Sequence, residues 1–135
     1  MYQQMIFVNL ATRDLDASKK FFTELGYTIN PQFSDENTAS IPLSDTIVVM
    51  LHTHQKYAQF TDKPIADPTS SSEVLLALSA ESREKVDELV EKAIAAGGSH
   101  TGETQDHGFM YGRAFNDPDG HTWEIVWMDP AAVAS

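Results

Sequence analysis

The feature that most constrains the fold is a succession of elements that occurs twice along the chain. Each occurrence begins with a short apolar strand and continues into an amphipathic helix that ends at glycine, at Gly26 in the first and at Gly97-Gly98 in the second. A glycine directly after the last helical turn is typical of a left-handed C-terminal cap. Three more β-like segments follow each helix, so the sequence predicts two β-α-β-β-β modules.

The predicted elements follow hydrophobic periodicity and turn signals. Asp14 and Ser82 are the predicted N-caps of the two helices. The predicted strands are Ile6–Leu10, Tyr27–Phe33, Ala39–Leu43 and Thr46–His52 in the first module, and Glu73–Leu78, Ser99–Glu103, Met110–Phe115 and Thr122–Met128 in the second. Thr53–Ser72 lacks periodicity and indicates a connecting loop. We place the modules at about residues 5–54 and 73–128 and the linker at about 55–72, within one domain that spans 1–135.

The expected fold class is α+β. An amphipathic helix and four short strands cannot bury their apolar faces alone. The two βαβββ modules are therefore expected to form a half-open, mixed-sheet barrel around a cleft, and the cleft is the expected ligand site.

Composition excludes several classes of protein. The chain has no Cys, which excludes disulfides and thiolate metal sites. The formal net charge of −11 opposes binding to nucleic acid or to anionic lipid. No apolar run approaches the roughly 18 residues of a membrane helix. The start of the chain, Met1–Met5, lacks the pattern of a secretory signal, so we expect a cytoplasmic location.

The last predicted strand contains one carboxylate within an apolar run. Side chains alternate along a strand, so Trp123 and Ile125 point to one face and Glu124 to the other. A carboxylate is costly to bury unless it is paired, hydrogen-bonded or bound to a metal. Two interpretations stay open at this point, an exposed sheet face and a functional site.

Three segments resemble the vicinal oxygen chelate superfamily, which includes glyoxalase I, fosfomycin-resistance proteins, extradiol dioxygenases and bleomycin-resistance proteins. The segments are Val8–Tyr27, the helix end Ala95–Gly98, and Phe115–Glu124 with its Asn-Asp-Pro-Asp-Gly turn. The resemblance covers nearly the whole chain and implies a small-molecule ligand and a homodimer. It does not imply one activity, because this fold serves lyases, isomerases, dioxygenases, thiol transferases and binding proteins.

The resemblance also implies metal ligands. Glu124 matches the glutamate of the closing strand and is the candidate catalytic residue, while Glu73 falls near the opening-strand position usually held by His. In the first module Phe7 occupies the ligand position and cannot coordinate a metal, although Asn9 on the same face could offer an oxygen. His52 is the plausible ligand on the closing strand of that module. Glu73, Glu124 and His52 are thus the predicted ligands of a divalent ion (Mn, Fe, Ni, Zn or Mg), and a site without metal stays open.

The predicted substrate-binding residues are Phe7, Asn9, His107, Phe109 and Tyr111. His107 is followed by two aromatic residues flanked by glycines, a pattern that allows close approach to a ligand and stacking on a flat ring. The alternative is that these aromatic side chains belong to the core and His107 to a loop.

Two functions remain open from the sequence. The first is a divalent-metal-dependent lyase or isomerase, similar to lactoylglutathione lyase, or an extradiol-type dioxygenase acting on a small oxygen-bearing substrate. The second is metal-free binding and sequestration of a small molecule, as in the bleomycin-resistance proteins. Glu124 favours the first function; Phe7 and the acidic charge favour the second.

Overall fold

The computed structural model describes residues 1–133. The chain divides into two compact units between Ala66 and Asp67, and each unit contains one sheet of mixed strands. The predicted α+β class is confirmed, and neither sheet is closed into a barrel. Within residues 1–133, no helix is both long and apolar enough to span a membrane.

The first unit contains three strands. Its elements are β1 (Ile6–Thr12), α1 (Leu15–Glu24), a 3₁₀ turn (Pro31–Phe33), β2 (Thr38–Pro42), β3 (Ile47–Thr53) and α2 (His54–Tyr57). The strand order is β1-β3-β2, with β1 parallel and β2 antiparallel to β3. Helix α1 packs on one face of this sheet, against β2 and β3. The opposite face, which carries Phe7, Asn9, Val48 and Met50, is called the open face of the unit.

Helix α1 forms because a polar cap precedes an amphipathic run. The Asp14 carboxylate accepts a hydrogen bond from the Ala17 N–H at 3.0 Å, which satisfies an otherwise free amide of the first turn. The helix buries Phe21 and Phe22 completely against β2 and β3. Burial of each phenylalanine contributes roughly 2 kcal/mol. Gly26 then takes a φ of 107°, which ends the helix as the sequence predicts.

Two predictions for this unit are corrected. The predicted strand Tyr27–Phe33 is reduced to a single bridge between Asn30 and Ser40, followed by the 3₁₀ turn. The cause is local, since Pro31 has no N–H to donate to a ladder and the Asn30 side chain accepts from the Gln32 amide instead. The predicted loop after β3 begins with the short helix α2.

The second unit contains five strands. Its elements are β4 (Leu75–Ser79), α3 (Arg83–Ala95), β5 (Ser99–His100), β6 (Gln105–Asp106), β7 (Met110–Asn116), β8 (Thr122–Met128) and α4 (Pro130–Val133). The order is β4-β8-β7-β5, and β6 also pairs with β7. Only the β4–β8 pair is parallel among these ladders. The predicted strand Ser99–Glu103 is shortened to β5, because Gly102 takes a φ of 66°, and the chain pairs with β7 again only at β6.

Helix α3 covers one face of the second sheet. It buries Val86, Val90 and Ala93, and the sheet buries Phe115, Trp123 and Ile125. Because side chains alternate, Glu124 lies on the opposite, open face of this sheet, as the strand pattern predicts.

Candidate functional site

The open face of the first unit carries predicted ligand-binding residues from β1. In the parallel register Phe7 lies beside Val48 and Asn9 beside Met50. Phe7 is 57% exposed, an unusual position for a large apolar side chain at the start of a sheet strand. Phe7 and Asn9 thus share a face that α1 does not cover.

His52 is held on both ring nitrogens. Its Nε2 lies 2.8 Å from the Oδ1 of Asn9, and its Nδ1 lies 2.9 Å from the Oγ1 of Thr38. Because the Asn oxygen can only accept, Nε2 carries the proton, and Nδ1 accepts from the Thr38 hydroxyl. The ring is 3% exposed and contacts Phe60 edge-on, with 4.9 Å between centroids.

The protonation state of His52 follows from these surroundings. Burial lowers the pKa of His52, and Lys56 lowers it further, whereas Asp35 opposes the shift. His52 is therefore neutral at pH 7, with the lone pair of Nδ1 already engaged. A metal ion at His52 would have to displace Thr38 or Asn9, so the hydrogen bonds observed do not favour its predicted role as a ligand.

A groove with a volume of about 570 Å³ lies on the open face of the first unit and extends beyond its edge. Its lining is mainly apolar: Met5, Phe7, Phe33, Pro42, Val48 and Met50, with Asn30, Ser40, Ser44 and Asp45 as the polar members. Asp45 is the charged group in this lining, and it is exposed. The groove therefore combines an apolar floor with one carboxylate, the composition expected of a small-molecule site.

Glu124 is central to the open face of the second unit. Its cross-strand neighbours are Ala77 on β4 and Ala114 on β7, so no other ligand flanks it in the ladder. The side chain is half-buried, and within residues 1–133 it makes no hydrogen bond or ion pair. Among the described residues Glu124 is therefore a carboxylate without a partner, placed between two alanines of the sheet.

The two predicted metal ligands of this unit do not meet. Glu124 lies level with Ala77 on β4, whereas Glu73 precedes it by four residues. Four residues of extended chain correspond to about 13 Å, too far for two carboxylates to bind one ion. Glu73 instead lies beside His121, with 3.6 Å between the carboxylate Oε1 and the imidazole Nε2.

Asp117 organises the turn before β8. Its carboxylate accepts from the backbone amides of Asp119 and His121 at 3.0 Å each, from His121 Nδ1 at 2.9 Å, and from Trp123 Nε1 at 3.1 Å. Four donors at one buried carboxylate fix the turn and the orientation of both rings. Burial alone would lower the pKa of His121, but the hydrogen bond and charge of Asp117, with Asp119 and Glu73, raise it overall.

The ligand atoms of Asp117, Asp119 and His121 lie within 4.8 Å of one another, close enough in principle to hold a metal ion. The carboxylate of Asp117 has its acceptor positions filled by the four donors named above. Its geometry fits a residue that orients His121 better than one that binds an ion directly.

Of the three remaining predicted residues, His107 and Phe109 lie close together, with 6.4 Å between ring centroids, whereas Tyr111 lies elsewhere. Tyr111 lies on the face covered by α3, where its hydroxyl donates to Asp87 at 2.7 Å. His107 and Phe109 lie in the turn between β6 and β7, and Phe109 is 51% exposed. Phe109 precedes β7, whereas Tyr111 lies within it and contacts Asp87 of α3, so stacking of one flat ligand on both rings stays a prediction.

An arginine fixes that turn. Arg83 donates to both carboxylate oxygens of Asp106 at 2.9 Å and to the Gly108 carbonyl at 3.0 Å. The guanidinium carbon Cζ also lies 5.1 Å from the ring centroid of Tyr111 and 5.2 Å from that of Trp127. The hydrogen bonds of Arg83 and the Gly108 amide lower the pKa of Asp106 to about 2.

Sequence reasoning did not assign roles to Asp117, His121 and Arg83. The signal for the first two is the Asn-Asp-Pro-Asp-Gly-His turn, in which an Asp precedes the turn and a His follows the glycine. Arg83 follows a helix cap and has no local signal, because its partners lie more than 20 residues away.

Comparison with known proteins agrees with this architecture. Residues 4–125 match the family described as Glyoxalase/Bleomycin resistance protein/Dioxygenase superfamily. A comparison with curated proteins finds no match of comparable significance. The chain therefore belongs to the Glyoxalase/Bleomycin resistance protein/Dioxygenase superfamily.

Three solved structures illustrate the similarity. A hypothetical protein from S. aureus is 30% identical, with 94% of each chain covered and a TM-score of 0.77. A glyoxalase-related enzyme from Fulvimarina pelagi is 25% identical; the match covers 93% of this chain and 88% of that enzyme, with a TM-score of 0.77. A bleomycin-binding protein complexed with bleomycin is 19% identical; the match covers 93% of this chain and 98% of that protein, with a TM-score of 0.61, so it shares the fold.

Proposed function

We propose that this protein binds a cationic, partly flat small molecule in the groove of the first unit, without requiring a metal. The observation that carries the proposal is the exposed Phe7 on the groove floor, at the position where the family resemblance implies a metal ligand. His52 on the same face already uses both nitrogens in hydrogen bonds. Binding on this face therefore rests on apolar contact and shape.

Charge supports a cationic ligand. Asp45 is the charged residue of the lining, and the chain carries a formal net charge of −11. An acidic protein with a carboxylate at its groove attracts cations and accelerates their association. A protein with this fold is a bleomycin-binding protein, which supports small-molecule binding as the role to test here.

The experiment is a calorimetric titration with bleomycin and with a flat aromatic dication. Phe7→Ala should weaken binding about tenfold or more, since an aromatic contact of this size contributes roughly 1.5–3 kcal/mol. Phe109→Ala is the matched control, because Phe109 is similarly exposed but lies in the second unit. Wild-type protein that binds neither probe, or equal losses in both variants, would contradict the proposal.

A second candidate function has one specific observation in its favour. The half-buried, unpartnered carboxylate of Glu124 is available to accept a proton from a small oxygen-bearing substrate, as a lyase or isomerase requires. The residues paired with Glu124 in the sheet supply no further metal ligand. This candidate function, as a lyase or dioxygenase, is therefore limited here to proton transfer by Glu124. Turnover of a glyoxalase or dioxygenase substrate that disappears in Glu124→Gln would support this candidate over the first.

We also propose a homodimer in the cytoplasm. Several large apolar side chains are exposed in the isolated chain: Ile6, Phe7, Phe33, Leu75, Phe109 and Met128. Exposed apolar surface of this kind favours association. Sedimentation equilibrium should give twice the chain mass of 15.0 kDa, and a monomer at micromolar concentration would contradict the dimer.

A further inference from the structure

A second candidate binding site lies in the second unit, at a small pocket beside the turn before β8. The pocket has a volume of about 240 Å³ and is lined by the loop Pro68–Val74 and by Gly120–Thr122. The side chains of Glu73 and His121 both contribute to its wall. This pocket shares no residue with the apolar groove of the first unit, and it meets the open face around Glu124 at Thr122.

The imidazole of His121 is oriented toward the pocket by its other nitrogen. Asp117 can only accept, so the proton of the neutral ring lies on Nδ1, and the lone pair lies on Nε2. The side chain of His121 is 1% exposed, and its Nε2 lies 3.6 Å from the Glu73 carboxylate without a hydrogen bond within residues 1–133. Among these residues no fully buried side-chain nitrogen or oxygen lacks a hydrogen bond, so the Nε2 atom is accessible from the pocket. An accessible ring nitrogen beside a carboxylate is a position that a ligand can occupy.

Glu73 supplies a second donor atom at a suitable separation. Its Oε1 lies 3.6 Å from His121 Nε2, longer than a hydrogen bond. Two ligand atoms on a tetrahedral ion at ordinary bond lengths are roughly 3.4 Å apart. The observed separation therefore suits one ion held by both residues, with only small movement of the Glu73 side chain.

The surroundings complete this arrangement. A carboxylate on the far nitrogen of a histidine is the usual support of a metal-binding imidazole, because it fixes the ring and increases its basicity. Here the Asp117 carboxylate accepts from Nδ1, the far nitrogen of His121, and the charge of Asp119 adds to the negative potential at His121. Thr69, Ser70, Ser71 and Ser72 line the remaining wall, and the volume of the pocket leaves room for water to complete the coordination.

We propose that Glu73 and His121 form a binding site for a divalent transition ion of the Zn²⁺ type, with Asp117 as the residue that positions His121. One imidazole and one carboxylate form a borderline ligand set, which Zn²⁺ and Co²⁺ accept. This site is independent of the small-molecule groove, since all of its residues belong to the second unit.

The test is a titration of the whole chain with Zn²⁺ by calorimetry and with Co²⁺ by visible absorption, on protein first treated with chelator. We expect one ion per chain, binding about tenfold or more weaker in Glu73→Gln, and unchanged binding in Glu124→Gln. Nitrogen-detected NMR should show a large Zn²⁺-induced shift at His121 Nε2 and a retained Nδ1–H.

Three results would overturn the site. These are no binding to wild type at millimolar ion, equal affinity in wild type and Glu73→Gln, or a loss confined to Glu124→Gln, which would place the ion on the open sheet face. Thermal unfolding of each variant checks that it is folded. Because the readout is the ion itself, its failure is distinguishable from failure of the bleomycin titration.

Discussion

His52 Nε2 donates to Asn9 Oδ1 over 2.8 Å, a hydrogen bond between residues 43 positions apart in the chain. The bond joins β1 to β3, and on its other side His52 accepts from Thr38 on β2. One buried ring therefore connects all three strands of the first sheet. A polar network that is satisfied on both sides stabilises the sheet and fixes its register.

Removing the acceptor on Asn9 should destabilise the protein. In Asn9→Ala the Nε2–H of His52 loses its partner while the ring stays buried, which costs about 1–2 kcal/mol. Urea denaturation monitored by tryptophan fluorescence measures this loss. Gln4→Ala, an exposed polar truncation just before β1, is the control and should change stability by less than about 0.5 kcal/mol. A loss no larger than that of the control would show that water replaces the acceptor.

The pH dependence of stability should reveal His52. Its pKa in the folded state is lowered, chiefly by burial, so the unfolded chain binds more protons below pH 6.5. The stability contributed by the neutral ring is therefore present above the unfolded pKa and is lost as pH falls through the folded pKa. Urea midpoints measured from pH 7.5 to about 5 should decline more steeply in wild type than in His52→Gln. Parallel curves for the two proteins would contradict the shift.

Gly120 should tolerate alanine less well than Gly97. Both have positive φ, 100° and 113°, so both substitutions carry a backbone cost of about 1 kcal/mol. At Gly120 an added Cβ would also lie 3.2 Å from the Thr69 amide nitrogen and 3.3 Å from the Pro68 carbonyl carbon, whereas Gly97 has open space. We expect Gly120→Ala to lower the melting temperature several degrees further than Gly97→Ala. Equal losses would show that the Pro68–Thr69 segment moves aside without cost.

Arg83 should control the acidity of Asp106. Its two hydrogen bonds are the first cause of the low pKa of Asp106, about 2, and the Gly108 amide adds to the shift. In Arg83→Met the pKa of Asp106 should rise toward 3.8 and stay somewhat below it, because the Gly108 amide still donates. Carbon-detected NMR titration of the carboxyl group measures the change. Lys85→Met on the same helix is the control and should leave Asp106 unchanged, since Lys85 pairs with Glu88.

Patterns with local causes could be predicted from the sequence. Both helices, their caps at Asp14 and Ser82 and the strand faces around Glu124 follow from periodicity, capping and alternation. The strand predicted at Tyr27–Phe33 failed because the effect of Pro31 on pairing outweighed the β propensity of its neighbours.

The site was less predictable because its contacts are distant in sequence. Glu73 was predicted as a metal ligand together with Glu124, but the register of β4 on β8 decides its neighbour, and periodicity does not give register. The position of Tyr111 depends on Asp87, which is 24 residues away on α3. The predicted role of His52 as a metal ligand remains a prediction.

The two buried histidines have opposite consequences for proton balance during folding. His52 has a lowered pKa, so the chain releases protons there as it folds, whereas His121 has a raised pKa and takes protons up. The two transfers have opposite signs, so the net proton exchange of folding through these two imidazoles is the difference between them. The heat of unfolding near pH 6.5, measured in buffers of different ionisation enthalpy, reports that difference, and His52→Gln should shift it toward net proton release on unfolding.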